Sequence, residues 1–247
     1  MIAGNANNTL TVYYWNLNFR GHFIYCLLDY LNVSYNRGSV PDLLALKNAA
    51  PHEAQAKFMA PPLLHDKENN IFLGQTPSIV TYLARKHGLC PQDPIKMALA
   101  EKCIHDCSDV LAGITRNNGS MMWTQEDWTN WSTTRFVRWL QIFEATAMQQ
   151  GLKETEGFFL GTPSATFADT ILVATLKNME FALGSKIATI LRTHSPRVMA
   201  LTDRIVASSV KLSARFAPQD GSVPYCGGYI EKSIRSVLAG GDGSTDI

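Results

Sequence analysis

Strand-like segments in this sequence of 247 residues stop near residue 75, and that boundary limits the possible folds more than any other feature. Before it, short runs rich in β-branched and aromatic residues alternate with helical patterns, and residues 9–15 (TLTVYYW) are the clearest predicted strand. After Asp93-Pro94, a helix cap followed by proline, the chain has almost no strand signal. We therefore expect a small sheet covered by helices, followed by an all-helical domain.

The first third of the chain follows a definite order of predicted elements. After the strand at 9–15, apolar residues at helical spacing predict a helix over 23–31, and residues 32–36 resemble a second short strand. Residues 41–58 are weakly helical, and two short strands around the turn at 67–70 predict a hairpin.

A last helix completes this part of the chain. Thr76 is expected to be its N-cap and Pro77 its first helical residue. Basic Lys86 and His87, followed by Gly88, predict its end. The whole order is that of a βαβ unit followed by a ββα unit.

The remaining chain is predicted to be helical up to a short tail. Helices are expected near 94–116, 124–150, 167–183, 185–193 and 196–214. These patterns divide the chain into a domain at 1–88, a linker at 89–92, a helical domain at 93–218 and a C-terminal extension at 219–247. The extension is rich in glycine and serine, and its end from residue 240 is expected to be disordered.

The composition is that of an ordinary soluble globular protein, with 46% hydrophobic and 17% charged residues. A net charge of +1, from 22 basic and 21 acidic side chains, predicts no general attraction to nucleic acid or anionic membrane. No apolar run approaches the ~18 residues that cross a bilayer. Residues 1–8 lack the basic start and apolar stretch of a secretory signal. We expect a cytoplasmic protein without nucleic-acid or membrane partners.

Five scattered cysteines, an odd number, fit a reducing compartment. Cys103 and Cys107 lie four residues apart on a predicted helix, with His105 between them on a different face. A zinc site needs convergent ligands, so these cysteines are interpreted as small buried hydrophobic residues and no metal is expected.

Several stretches resemble the cytosolic glutathione transferases. Residues 62–66 (PLLHD), 75–76 (QT) and 81–90 (TYLARKHGLC) carry the resemblance, the last of them to the Mu class and its Pi and Sigma relatives. In the helical part, residues 159–161 (FLG) and 166–169 (TFAD) are similar as well. The resemblance spans roughly residues 9 to 215.

The resemblance implies a thioredoxin-like βαβ-α-ββα domain that binds glutathione, followed by an all-helical domain. Members of this family conjugate the thiol of glutathione to electrophiles, usually as dimers. Glutathione as co-substrate, a small hydrophobic electrophile and a homodimer are therefore expected. Some members are peroxidases, isomerases or non-catalytic binding proteins, and these alternatives stay open.

The resemblance also suggests how the tripeptide is held. Gln75 and Thr76, at a helix start with free N–H groups and a positive dipole end, correspond to the residues that bind the γ-glutamyl carboxylate. Pro62, followed by Leu63, corresponds to the cis-proline before a strand. In that case the preceding Pro61 has no N–H to donate, and only its carbonyl can bond the tripeptide backbone. If Pro61 is the cis residue instead, Ala60 keeps both groups.

Three residues are candidates for stabilising the thiolate. Tyr14 resembles the catalytic tyrosine of the Mu, Pi and Alpha classes and is placed first. The loop from Tyr14 to Arg20-Gly21 is two residues longer than in those classes, so counting back from Arg20 points to Asn16. Counting as in the serine- or cysteine-type classes points to Asn18. The loop has no cysteine, which argues against the branch that works through a mixed disulfide.

Other side chains complete the predicted site. Arg20 is a further substrate-binding candidate, and Lys47 or Lys57 could reach the glycyl carboxylate. An apolar electrophile pocket is expected between the domains. Its candidate residues are Trp15, Leu17, Phe19, Met121, Met122 and Trp123.

One helix start is interpreted as purely structural. Thr166 and Asp169 have the spacing of a capping box. Replacing Asp169 by alanine is expected to destabilise the protein by ~1–2 kcal/mol.

Overall fold

The computed structural model of the protein describes residues 8–218 and 223–240. Its first part contains the strands β1 (Leu10–Tyr13), β2 (Asn36–Arg37), β3 (Leu63–Asp66) and β4 (Ile71–Leu73), with the helices α1 (His22–Tyr30), α2 (Val40–Asn48) and α3 (Thr76–Lys86). The sheet order is β2-β1-β3-β4, with β1 parallel to β2 and antiparallel to β3. Strand β4 pairs antiparallel with β3. This arrangement confirms the predicted thioredoxin-like domain.

The rest of the described chain is helical, which confirms the second part of the predicted fold. The elements are α4 (Pro94–Ile114), α5 (Arg116–Gly119), α6 (Gln125–Thr133), α7 (Arg135–Gln149), α8 (Phe167–Leu172), a π-helical segment (Val173–Lys177), α9 (Asn178–Leu183), α10 (Ser185–His194), α11 (Pro196–Ala207), α12 (Val210–Arg215) and α13 (Gly228–Ala239). None of the helices in the described ranges combines the length and apolar character of a membrane span.

Helix α1 lies at the centre of the molecule. It is buried on all sides from His22 to Asp29, because it packs on α3 in its own domain and on α8 and the π-helical segment in the second. The sheet beside it is anchored by Val12 and Leu64, which are paired across β1 and β3 and fully buried. Each such side chain stabilises the fold by about 1.5–3 kcal/mol.

Polar contacts fix the two domains to each other. Arg215 Nε donates to Asp29 Oδ2 at 2.6 Å, and Ser209 Oγ donates to the carbonyl of Asp29 at 2.9 Å. The N–H of Phe167, at the start of α8, donates to the carbonyl of Leu89 at 2.9 Å. These bonds set the position of the helical domain against α1, and with it the space between the domains.

Two helices that were predicted as continuous are each divided. The helix expected at 124–150 breaks at Thr134, where φ is −115° and ψ is −83°. The helix expected at 196–214 breaks at 208–209, where Ser209 Oγ accepts from the N–H of Leu212 at 3.3 Å and begins α12. Neither break has a glycine or proline, and only the second has a local signal, the hydroxyl of Ser209 that caps α12.

Two further expectations are corrected. The N-cap of α3 is Gln75, with φ at +66°, and Thr76 is the first helical residue. The extension contains α13, although its glycine- and serine-rich composition predicted no helix. Residues 241–247, whose disorder was predicted, lie outside the described residues, as do 219–222.

Candidate active site

A cavity of about 1310 Å³ lies between the two domains. Its walls come from the loop after β1, the residues before β3, the start of α3, one face of α4 with the turn after it, and the segment that leads into α13. The lining residues are Tyr14, Trp15, Asn16, Leu17, Phe19, Arg20, Met59, Ala60, Pro61, Pro62, Gln75, Thr76, Pro77, His105, Ser108, Thr115, Asn118, Gly119, Met122, Cys226, Gly227, Gly228, Tyr229 and Ile230. The space exceeds that of many small-molecule pockets.

Tyr14 directly follows β1 and is 5% exposed. Burial is the main influence on its hydroxyl and raises the pKa of Tyr14 well above its ordinary value, although Arg20 and the backbone N–H groups of Gly21 and Arg20 oppose the rise. The hydroxyl therefore keeps its proton at neutral pH and can donate a hydrogen bond into the cavity.

The two asparagine candidates are placed differently. Asn16 is exposed and lines the cavity. The backbone of Asn18 is engaged elsewhere: its N–H donates to the carbonyl of Pro224 at 3.1 Å, and its carbonyl accepts from Asn178 Nδ2 at 2.5 Å. Asn18 is not among the residues that line the cavity.

The peptide bond between Pro61 and Pro62 is cis, so Pro62 is the cis residue. Both prolines and Ala60 line the cavity, while Leu63 is buried as the first residue of β3. Pro61 has no N–H, and its carbonyl is the only hydrogen-bonding group that its backbone can offer a ligand.

The start of α3 faces the same cavity. Gln75 is exposed and Thr76 is 7% exposed, and both line the space beside Pro77. The carbonyl of Gln75 accepts the first helical bond, from the N–H of Ile79 at 3.0 Å. The N–H groups that precede Ile79 in the first turn have no partner within the helix, which makes this end suited to an anion.

Arg20 adds a positive charge to the wall next to Tyr14. Its guanidinium carbon lies 5.4 Å from the ring centre of Phe19, and it forms no ion pair with any residue in the two described ranges. Burial lowers the pKa of Arg20, while the nearby Tyr14, Tyr225 and Asp109 act to raise it. A guanidinium stays charged at neutral pH and is available to a negative ligand group.

Four predicted site residues lie away from the cavity, in addition to Asn18 and Leu63. Lys47 is exposed on α2, and Lys57 is exposed with its Nζ donating to the carbonyl of Ala54 at 3.2 Å. Met121 is exposed outside the cavity. Trp123 is buried, and its indole N–H donates to the carbonyl of Ile114 at 2.8 Å. Trp15, Leu17, Phe19 and Met122 do line the cavity.

The sequence reasoning missed two parts of the wall. One is the face of α4 with its C-cap, through His105, Ser108 and Thr115, and the other is the segment at 226–230. Ile230, Ile234 and Val237 are buried at helical spacing, and this pattern in the tail was the signal that could have found α13.

The cysteines in the described ranges are all free, and Cys26, Cys103 and Cys107 are buried. Cys226 lines the cavity half-buried, and burial raises its pKa to about 12. No three His, Cys, Asp or Glu side chains within residues 8–218 and 223–240 come together as a metal site.

Comparisons with known proteins agree with this architecture. A family model described as the C-terminal domain of glutathione S-transferase matches residues 99–237, more than half of the chain. The structure of the Pi-class glutathione S-transferase of Onchocerca volvulus is similar, with a TM-score of 0.66 and 16% identity over 84% of this chain and 91% of that chain. Rat hPGDS complexed with a quinoline is similar too, with a TM-score of 0.63 and 18% identity over 85% of this chain and 98% of that chain. A search of curated proteins found no match.

Proposed function

The chain belongs to the glutathione S-transferase family, and on that premise we propose that its cavity binds glutathione and transfers the tripeptide through its sulfur to a hydrophobic electrophile. The observation that carries the proposal is that Gln75-Thr76, Pro61-Pro62 and Tyr14 line one cavity. They come from separate elements of the first domain, and each suits a different part of the tripeptide.

The start of α3 is the proposed site of the γ-glutamyl carboxylate. The unpaired N–H groups of the first turn and the positive end of the helix dipole favour an anion there. The hydroxyl of Thr76 and the side-chain amide of Gln75 can add donors, because neither makes a hydrogen bond to another residue of the described chain. The carbonyl of Pro61 is proposed to accept the N–H of the cysteinyl unit.

Tyr14 is the proposed donor to the sulfur. Its protonated hydroxyl can stabilise a thiolate, and the charge of Arg20 on the same wall acts in the same direction. Stabilising the anion lowers the pKa of the bound thiol, so that more of it is nucleophilic at neutral pH. Asn16, which also lines the cavity, is the alternative donor.

The electrophile is proposed to bind next to the sulfur, against apolar residues of both domains. Leu17, Phe19, Met122 and Ile230 line the same cavity. In this reaction glutathione supplies the nucleophile, and the protein holds the two reactants together and stabilises the developing charge.

Two alternatives use the same cavity. Burial of Tyr14 and the missing N–H of Pro61 favour a protein that binds glutathione or hydrophobic ligands without turnover. A glutathione-dependent peroxidase or isomerase is the other alternative.

Membership of the family supports three wider proposals: a homodimer, a cytoplasmic location and a role in detoxification. The division into domains at 1–88 and 93–218 also remains a proposal.

Calorimetric titration with glutathione, followed by turnover of 1-chloro-2,4-dinitrobenzene, tests the proposal. We expect saturable binding and formation of the thioether. Binding without turnover of this compound or of related electrophiles would favour the binding protein, and turnover of a hydroperoxide alone would favour the peroxidase. No binding of glutathione would contradict the transferase and the peroxidase or isomerase, and would leave only a protein that binds hydrophobic ligands. Thr76→Ala is expected to weaken binding about tenfold, since a donor to the carboxylate is lost.

A further inference from the structure

The loop at 14–21 joins β1 to α1 and carries all the residues proposed to act on the sulfur of glutathione. Among residues 14–19 of this loop, one backbone hydrogen bond runs from one loop residue to another, from the N–H of Leu17 to the carbonyl of Trp15 at 2.8 Å. A loop with so little internal bonding is held in one conformation by what packs against it.

Asn18, in the middle of this loop, is bonded to two residues from far along the chain. Asn178 Nδ2 donates to the carbonyl of Asn18 at 2.5 Å. The N–H of Asn18 donates to the carbonyl of Pro224 at 3.1 Å. The loop is therefore fixed from outside, by the helical domain and by the segment that leads into α13.

The residues on either side of Asn18 pack against the same C-terminal segment. A methyl group on Gly227 would lie 3.1 Å from Cδ2 of Leu17, so the Leu17 side chain rests on bare backbone. The rings of Phe19 and Tyr225 meet edge to face, with their centres 5.3 Å apart. Three consecutive loop residues thus each have a partner in the last part of the chain.

Asn178 reaches the loop from an irregular part of the helical domain. It directly follows the π-helical segment Val173–Lys177 and is 1% exposed. A π-helical turn holds one more residue than an α-helical turn, which rotates the residues after it by about 100° around the helix axis. The irregular turn therefore decides which way the side chain of Asn178 faces.

The amide of Asn178 is poorly suited to a purely structural role. Its Oδ1 is buried and has no hydrogen-bond partner in the described chain, and a buried acceptor without a partner lowers stability. An apolar side chain would serve the packing of this position better. The contact with Asn18 is what explains an asparagine here.

We propose that Asn178 is a positioning residue for stabilisation of the thiolate: by holding the carbonyl of Asn18, it keeps the loop in the conformation that brings Tyr14 and Arg20 to one cavity. The inference rests on the proposed function, because it concerns the donors to the sulfur of bound glutathione. Asn178 itself does not line the cavity, so it acts through the loop.

The test is the pKa of the thiol of glutathione bound to the full-length protein, measured by the ultraviolet absorbance of the thiolate. Asn178→Leu removes the amide and keeps a side chain of similar size. We expect the pKa of the bound thiol to rise by about one pH unit and kcat/KM for 1-chloro-2,4-dinitrobenzene at neutral pH to fall about tenfold. The Kd for glutathione should change by no more than about threefold, because the γ-glutamyl carboxylate is proposed to bind at a different element.

Two further measurements separate positioning from general destabilisation. Asn178→Ala removes the same donor without adding an apolar branch and should raise the pKa of the bound thiol as well. Hydrogen exchange of residues 14–21 should become faster in both variants, because the loop loses its bond to the helical domain.

Thr175→Val is the matched control. Thr175 is fully buried in the π-helical segment, and its Oγ1 donates to the carbonyl of Ile171 at 2.8 Å, so its side chain bonds to its own helix and not to the loop. Valine removes this buried hydroxyl at nearly constant size. The pKa of the bound thiol and the hydrogen exchange of the loop should stay at the wild-type values.

A wild-type thiol pKa in both Asn178 variants, with thioether formation intact, would overturn the inference and leave the proposed function standing. An equal rise of the thiol pKa in Thr175→Val would overturn it as well, because any disturbance of the π-helical segment would then suffice. A wild-type protein that bound no glutathione would contradict the proposed function, and the inference would fall with it.

Discussion

The ring of Tyr14 lies directly against the α-carbon of Gly21, so closely that a methyl group there would come within 2.4 Å of Cδ1 of the ring. Gly21 precedes α1 with φ at −61°, an ordinary value for any residue. Glycine is therefore required at this position for space and not for its backbone freedom. The contact fixes the ring of the proposed thiolate donor against the start of α1.

Gly21→Ala is expected to displace Tyr14 and to lower both stability and activity. Overpacking of this kind lowers the free energy of unfolding by about 1–3 kcal/mol. The displaced hydroxyl of Tyr14 should reduce kcat/KM at least about tenfold. Chemical denaturation and steady-state kinetics measure the two effects. The chain offers a matched control in Gly38→Ala, whose methyl would meet the ring of Tyr13 at 2.0 Å. Tyr13 does not line the cavity, so that variant should lose stability and keep its activity per folded molecule.

Tyr14→Phe tests the donor itself. The hydroxyl stays protonated across neutral pH because burial raises its pKa, so its loss removes a hydrogen bond from the thiolate. We expect the pKa of bound glutathione to move back toward its free value and the rate at neutral pH to fall about 10- to 100-fold. Titration of the thiolate by its ultraviolet absorbance gives the pKa. If Asn16→Ala produced this shift and Tyr14→Phe did not, the role would pass to Asn16.

Glu231 fixes the backbone that leads into α13, where residues 226–230 line the cavity. Its carboxylate accepts from the N–H groups of Tyr225 at 3.0 Å and Gly227 at 2.5 Å and pairs with Arg235. Burial alone would raise the pKa of Glu231, but these bonds outweigh it and hold the pKa below its usual value. Glu231→Ala should loosen the segment, raise KM for the electrophile several-fold and leave the Kd for glutathione nearly unchanged. Hydrogen exchange of residues 223–230 reports the loosening, and Ser236→Ala on the same helix is the control.

Asp66 is predicted to make stability depend on pH. Burial tends to raise its pKa, but hydrogen bonds from Lys86 at 2.7 Å, Tyr82 at 2.6 Å and Asn69 at 3.0 Å hold it well below the usual range. A depressed carboxyl pKa contributes stability that is fully present above about pH 4 and is lost as the pH falls toward the folded value. Asp66→Asn should lower the free energy of unfolding by about 2–4 kcal/mol at pH 7. The difference in unfolding free energy between this variant and the wild type should shrink below about pH 4.

Glu68 is the matched control for Asp66. It contacts the same Lys86 Nζ at 2.7 Å, but its side chain is 61% exposed whereas that of Asp66 is fully buried. Glu68→Gln should change the free energy of unfolding by no more than about 0.5 kcal/mol. Equal effects of the two substitutions would show that burial of Asp66 is not what makes the pair important.

Asp169→Ala is expected to lower the free energy of unfolding by more than the loss of an ordinary helix-capping interaction does. Asp169 is fully buried and accepts from the N–H of Thr166 at 2.7 Å, the hydroxyl of Thr166 at 3.0 Å and the N–H of Phe159 at 2.8 Å. Its loss leaves two buried N–H groups unpaired, so we expect about 2–4 kcal/mol of destabilisation in urea unfolding. Thr166→Ala removes only the hydroxyl and should cost about 1 kcal/mol. An unchanged melting temperature for Asp169→Ala would contradict this account.

The fold could be predicted because its signals are local. Asp93 accepts from the N–H of Lys96 at 2.8 Å and begins α4 as its sequence predicts, and Gly88 follows α3 with φ at +74°. Thr166 and Asp169 form the predicted capping box. Each of these devices depends on residues within a few positions of one another.

The cavity could be predicted only in part, because several of its walls depend on distant packing. The face of α4 that meets the first domain is set by the contacts between the domains, and nothing near His105 in the sequence marks it. The break at Thr134 likewise has no local signal. In the C-terminal extension, the glycine-rich composition favoured a prediction without a helix, although Ile230, Ile234 and Val237 recur at helical spacing.

The positions of the cavity-lining residues along the chain determine when each part of the site can form during synthesis. The residues proposed to hold glutathione all precede residue 78, whereas five lining residues lie at 226–230. The last three of these five begin α13, which packs on α5. A chain emerging from the ribosome can shape the tripeptide end of the site early. It can complete the rest of the cavity only after residues 226–230 have been synthesised and α13 has docked.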